Sequence, residues 1–138
     1  MQIMEKYFLL SKDIGDGPYL LGELVRLSKG EYEFRYMIKG DKFPQWFMAI
    51  PGMEDIAKTY GTDEVKDRII HQVTPRRSTW LAGQLMKQNN VPEYDEWELL
   101  ESQLALYDKR KTDKYPLGNS HQNFYFYKEI PGKVNRYD

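Results

Sequence analysis

From Glu31 to Ile38 the chain alternates strictly, with Tyr32, Phe34, Tyr36 and Ile38 on one parity and Glu31, Glu33, Arg35 and Met37 on the other. Successive side chains of a strand point to opposite faces, so this two-residue period demands a sheet with one covered and one wet face. A helix would scatter the four large residues around its axis. The rest of the chain must therefore supply partner strands and an apolar layer to lie on them.

The flanking sequence reads accordingly. Lys6 to Ser11 is a short apolar run, and Lys12-Asp13-Ile14-Gly15-Asp16-Gly17-Pro18 is dense in turn residues. Tyr19 to Leu27 follows as a second strand, joined to the third by Ser28-Lys29-Gly30. Two successive hairpins predict an antiparallel meander. Beyond Lys39-Gly40-Asp41-Lys42, the apolar stretch from Phe43 to Gly52 carries Pro44 and Pro51 and reads as a short strand or a packed irregular segment. Asp55 to Tyr60 reads as a helical turn stopped by Gly61.

Helical signals take over from there. Thr62 or Asp63 opens a helix whose acidic first turn suits the macrodipole, with Val65, Ile69 and Val73 along one face and an end before Pro75. Ser78 is the expected N-cap of the next helix, with Leu81 and Leu85 facing inward and Trp80 and Gln84 beside them; Asn89-Asn90-Val91-Pro92 ends it. Asp95 with Glu98 three residues on is a capping arrangement, followed by Trp97, Leu100, Leu104 and Tyr107 at helical spacing. Phe124-Tyr125-Phe126-Tyr127 reads as a last strand. The order predicts an α+β fold: an N-terminal antiparallel meander packed against about three helices, with a late C-terminal strand returning to the sheet. One domain over residues 1–130 is expected, with a frayed tail over 131–138.

Chemistry is sought with little return. The chain has no cysteine, which removes disulfides, thiolate nucleophiles and thiolate metal ligands together. Its two histidines, His71 and His121, form no ligand-spacing motif, and His71 beside Ile69 and Ile70 reads as structural. Gly15-Asp16-Gly17 lacks the third glycine of a phosphate loop and runs into Pro18, which has no amide proton. No Gly-x-Ser-x-Gly elbow occurs. Glu93, Asp95, Glu96, Glu98 and Glu101 read as a cap and a solvated helix face rather than as paired acid and base. The expectation is a protein without catalysis, cofactor or metal.

Twenty Lys and Arg against twenty-one Asp and Glu leave a net charge of −1, so nucleic-acid binding would need a local patch. The apolar run at Tyr19-Leu20-Leu21 is far short of the roughly 18 residues of a membrane span, and Met1 to Lys6 does not read as a secretory leader. A cytoplasmic location without a membrane partner is expected.

Two basic foci stand out. Lys109-Arg110-Lys111, with Lys114 and Tyr115, reads as a wetted loop. Arg76-Arg77 lies between Pro75 and the expected cap and close to Trp80, which places two guanidinium groups at a helix end where phosphate or an acidic partner can be held. The last strand gives two rings to each face, and a tyrosine-rich face suits protein recognition. The expected partner-binding residues are therefore Arg76, Arg77, Trp80, Tyr125 and Tyr127.

The run Leu21-Gly22-Glu23-Leu24-Val25-Arg26-Leu27, followed by Gly30-Glu31-Tyr32-Glu33-Phe34-Arg35-Tyr36, resembles the opening strands of the HipA-type toxin kinases. The downstream order is similar: Ile50-Pro51-Gly52, a helix with Asp67-Arg68-Ile69-Ile70, then Pro75-Arg76-Arg77, and the segment from Glu93 to Leu100. The likeness spans Lys6 to Tyr127, with Gln103 to Gln122 resembling an insertion and the glycine-rich continuation of the family missing. In that family, catalysis belongs to a large C-terminal domain that this chain does not contain. The resemblance implies a standalone, non-catalytic N-terminal subdomain that restrains a partner kinase. Two alternatives stay open: a phage or mobile-element inhibitor of a host enzyme, and a nucleic-acid-associated factor using Arg76, Arg77 and Lys109 to Lys114.

Overall fold

The computed structural model describes residues 5–11, 18–38, 47–109 and 124–136, with side chains omitted over 105–109. The expected turn at 12–17, the loop at 39–46, the basic residues from Arg110 to Lys114, and His121 lie outside the described residues.

The fold is α+β. Strands β1 (Glu5–Leu10), β2 (Leu20–Ser28) and β3 (Glu31–Tyr36) form the expected meander, β4 (Thr59–Tyr60) adds to β3, and β5 (Tyr125–Tyr127) adds to β1. The sheet order is β4-β3-β2-β1-β5, with every pairing antiparallel. Three helices accompany it: α1 (Thr62–Arg68), α2 (Trp80–Gln88) and α3 (Glu96–Lys109), with a 3-10 turn at Ile70–Gln72. The late strand returns to the sheet as the sequence indicates.

The alternation along β3 propagates through the register. Tyr36, Phe34 and Tyr32 stand opposite Gly22, Leu24 and Arg26 of β2, and Leu24 and Arg26 stand opposite Tyr7 and Glu5 of β1. This parity is the core face, and Val65, Ile69, Trp97, Leu100 and Leu104 from the helical layer close over it. On the opposite parity Glu23 accepts both Lys6 and Arg35, each at 3.4 Å, which keeps that face wet. Phe126 joins the core face beside Leu9, while Tyr125 and Tyr127 share the other face with Leu10 and Phe8.

Gly22 is required by close approach. A Cβ there would lie 2.5 Å from the ring of fully buried Phe34 and 3.1 Å from the Arg35 carbonyl oxygen. Gly22→Ala should cost about 1–3 kcal/mol through overpacking, read as a lowered urea midpoint at unchanged slope. An unchanged midpoint would show that the Phe34 ring moves aside freely.

Several local expectations are corrected. The helix expected to run towards Val73 stops at Arg68, because Ile69 leaves helical geometry (φ −120°, ψ −63°) and the chain tightens into the 3-10 turn. Both Ile69 and Ile70 are thereby buried. Thr62 does begin α1, yet its hydroxyl ties the helix to β3, accepting from the Tyr32 amide at 3.0 Å, while the Glu64 carboxylate accepts from the Gly61 amide. Asp55 to Tyr60 forms a single hydrogen-bonded turn, the Lys58 amide donating to the Asp55 carbonyl at 3.3 Å, and then runs into β4 rather than on to Gly61 as helix, with the Tyr60 hydroxyl bonded to the Asp55 backbone. Residues 47–50 are irregular, and the Tyr36 hydroxyl pins the segment by donating to the Met53 carbonyl (2.7 Å) and accepting from the Ile50 amide (2.9 Å). The tail expected to fray from Pro131 onward is tied at Asn135, which bridges Tyr19 in parallel, donates to the Pro18 carbonyl and accepts from the Leu20 amide.

Candidate functional site

Two polar assemblies compete for attention, and burial separates them. The first is interior. Asp95 caps α3 as its spacing indicates, its Oδ1 accepting from the Trp97 amide at 3.0 Å and the Glu98 amide at 3.4 Å. Its Oδ2 accepts from Arg26 Nη2 at 2.8 Å, and Arg26 Nη1 reaches Glu5 at 3.2 Å. Beside them Glu96 pairs with Lys66 at 3.4 Å. Burial first, and the Glu96 carboxylate second, push the Tyr32 phenol far above the ordinary tyrosine range, so it stays neutral. This cluster joins β1, β2 and α3, and its charged groups are engaged with one another. It is a fastening.

The second assembly is the approach to α2. Thr79, not Ser78, is the N-cap: its Oγ1 accepts from the Ala82 amide at 3.1 Å and its hydroxyl donates to the Arg76 carbonyl. Ser78 instead takes a left-handed backbone, φ +67°, a conformation that costs a non-glycine residue free energy and persists only when its surroundings hold it. Leu81, expected inside, is exposed; Ala82 is buried and Leu85 half-buried. Trp80 is 78% exposed and Leu81 50%. Large apolar side chains this exposed on one turn form a patch of the kind that marks contact surfaces.

The arginines before this turn are held from below. Arg76 Nη2 bonds Asp67 Oδ1 at 2.5 Å, and the Arg77 guanidinium lies 5.4 Å from the centroid of the Tyr94 ring. The Tyr94 hydroxyl donates to the Pro75 carbonyl at 2.8 Å, and burial foremost raises its pKa to about 12. The segment from Pro75 to Leu81 is therefore anchored at both ends while its side chains face solvent. Arg76, Arg77 and Trp80 are brought onto one short segment; Tyr125 and Tyr127 sit apart from it on β5, with Tyr125 only 9% exposed and Tyr127 half-buried. Sequence reasoning missed two members. Leu81 is misplaced by the one-residue slip of the cap, and Tyr94 carries no local pattern that would reveal its contact with Arg77.

Elsewhere the chemistry is sparse. His71 Nδ1 lies 3.2 Å from the Thr74 carbonyl oxygen, and burial lowers its pKa below the ordinary histidine value. Among the described residues, no group of His, Asp and Glu side chains is arranged to hold a metal, and no helix is long and apolar enough to cross a membrane. An open cleft of about 460 Å³ is lined by Lys29, Asn89, Asn90, Glu93, Glu98 and Ser102, among others, but the Lys29–Glu93 ion pair occupies its polar groups and Ser102 bonds the Glu98 carbonyl. A second, of about 370 Å³, lies between Arg35, Tyr36 and Ile38 of one segment and Ile56 to Thr59 of another. Neither places a histidine against a nucleophile.

Comparison with known proteins adds no name to this geometry: no protein-family model, no curated protein and no solved structure matches the chain.

Proposed function

We propose that this chain is a non-catalytic protein-docking module, acting in the cytoplasm, whose contact surface is the first turn of α2 with the arginines that precede it. One observation carries the reading: Trp80 and Leu81 stand exposed side by side on a turn whose backbone is anchored by Thr79, Tyr94 and Arg76. Aromatic and arginine side chains dominate interface energetics, and a pre-ordered turn lowers the entropy cost of docking. The resemblance to the N-terminal subdomain of HipA-type kinases makes such a kinase the first partner to test, with docking restraining its activity.

Trp80 makes no ring contact within the described fold, so Trp80→Ala should leave stability within about 0.5 kcal/mol. The same variant should lose the complex. A photo-crosslinking side chain at position 80, introduced in the native host, identifies the neighbour; the purified neighbour is then titrated with the parent chain, Trp80→Ala and Leu81→Ala. Parent binding that both variants weaken supports the proposal. Equal binding by all three chains refutes it.

A further inference from the structure

No aspartate or glutamate occurs from Arg68 through Pro92, a stretch that carries Arg68, Arg76, Arg77 and Lys87. The chain as a whole is slightly acidic, and the adjoining segment alone holds Glu93, Asp95, Glu96, Glu98 and Glu101. Carboxylates are thus absent from this stretch of sequence and frequent directly after it. Within the basic stretch the cations are not equivalent. Asp67 engages both Arg68, at 3.6 Å, and Arg76, at 2.5 Å. Arg77 is exposed and has no ion-pair partner among the described residues. Its support is the Tyr94 ring, itself anchored through its hydroxyl to Pro75.

An exposed guanidinium seated beside an aromatic ring leaves its planar fork of N–H donors available, and that fork suits bidentate recognition of a carboxylate. Three residues on stands the exposed Trp80 indole, with Leu81 beside it. We infer that the segment docking on this turn is an acidic amphipathic peptide, which places a carboxylate on Arg77 and an apolar side chain against Trp80 and Leu81. This rests on the docking reading above and names the chemistry of its partner. A nucleic-acid strand fits less well: its affinity comes from counterions released by many neutralised phosphates, whereas Arg68 and Arg76 already face Asp67 and Arg77 is the one arginine of this stretch without an ion pair among the described residues.

The test is an NMR titration of the isotope-labelled full chain, following the Trp80 indole N–H and the Arg77 Nε–H. The probes are a short blocked peptide of leucine and glutamate at helical spacing, its lysine and glutamine counterparts, and an oligothymidylate. The glutamate peptide should shift both signals saturably, the glutamine peptide more weakly, and the lysine peptide not at all. Arg77→Ala should weaken the glutamate peptide about tenfold, the loss of one charge-assisted contact, and Arg77→Lys should recover only part because an ammonium lacks the planar fork of donors. Equal response to the glutamate and lysine peptides, or an affinity unmoved by Arg77→Ala, overturns the acidic partner and leaves docking through Trp80 standing. Absence of any peptide response at Trp80 overturns both. Preferential saturation of the same signals by oligothymidylate replaces the protein partner with a nucleic acid.

Discussion

Trp97→Ala is expected to be among the most damaging single substitutions in this protein, lowering stability by about 3–5 kcal/mol against a total on the order of 5–15 kcal/mol for a domain of this kind. Trp97 is fully buried, stacked on Tyr32 (centroids 5.6 Å apart, planes 16° apart) and tilted against Tyr7 at 5.5 Å. It fills the junction between the first turn of α3 and strands β1 and β3, so truncation opens a cavity that rings fixed in a sheet cannot close. The indole Nε1 is buried without a hydrogen-bond partner among the described residues. Trp97→Phe therefore removes no hydrogen bond and should cost clearly less than the alanine change. Urea denaturation followed by circular dichroism ranks the variants. A phenylalanine variant as unstable as the alanine one would show that the indole N–H is bonded after all.

Asp95→Ala is expected to lower stability by about 3 kcal/mol, combining the loss of a helix cap with the exposure of a buried arginine to an incomplete partner set. The two roles can be separated. Asparagine accepts the same capping bonds but carries no charge, so Asp95→Asn should fall between the parent and Asp95→Ala. Arg26 retains Glu5 at 3.2 Å in either variant, which moderates the loss. A double-mutant cycle with Arg26→Met measures the coupling directly. An Asp95→Asn variant as stable as the parent would show that the ion pair adds nothing and that the cap alone explains this residue.

These two residues also show how much was legible beforehand. The spacing of Trp97, Leu100 and Leu104 behind Asp95 identifies both the helix and its buried stripe, because cap chemistry and helical period are local. The ion pair that joins Asp95 to Arg26 spans 69 positions of sequence, and no local period encodes it. Arg26 is a charged residue on the core parity of β2, which the alternation of that strand alone would not suggest. Its placement follows from the register opposite Tyr32 and from the cap that meets it.

The candidate site divides in the same way. The sequence places Arg76, Arg77 and Trp80 together at a helix start, since the two arginines lie between a proline and a cap and Trp80 follows that cap directly. It does not determine which side of α2 turns outward. Moving the cap from Ser78 to Thr79 shifts the register of the helix start by one residue, and it is Ala82, not Leu81, that is buried. For Tyr125 and Tyr127 the alternation correctly puts both on the face of β5 opposite Phe126, but it says nothing of how deeply each is covered. Tyr125 pairs with Leu10 in register, and both are buried on the face away from the main core.

The sequence by itself determined the alternation of β3, the Asp95 cap and the order of elements, because each arises from interactions within a few residues along the chain. Only the tertiary structure decided which helix turn stays uncovered and which arginine lacks a carboxylate among the described residues, and which tyrosines are hidden, because those depend on what distant segments bring alongside.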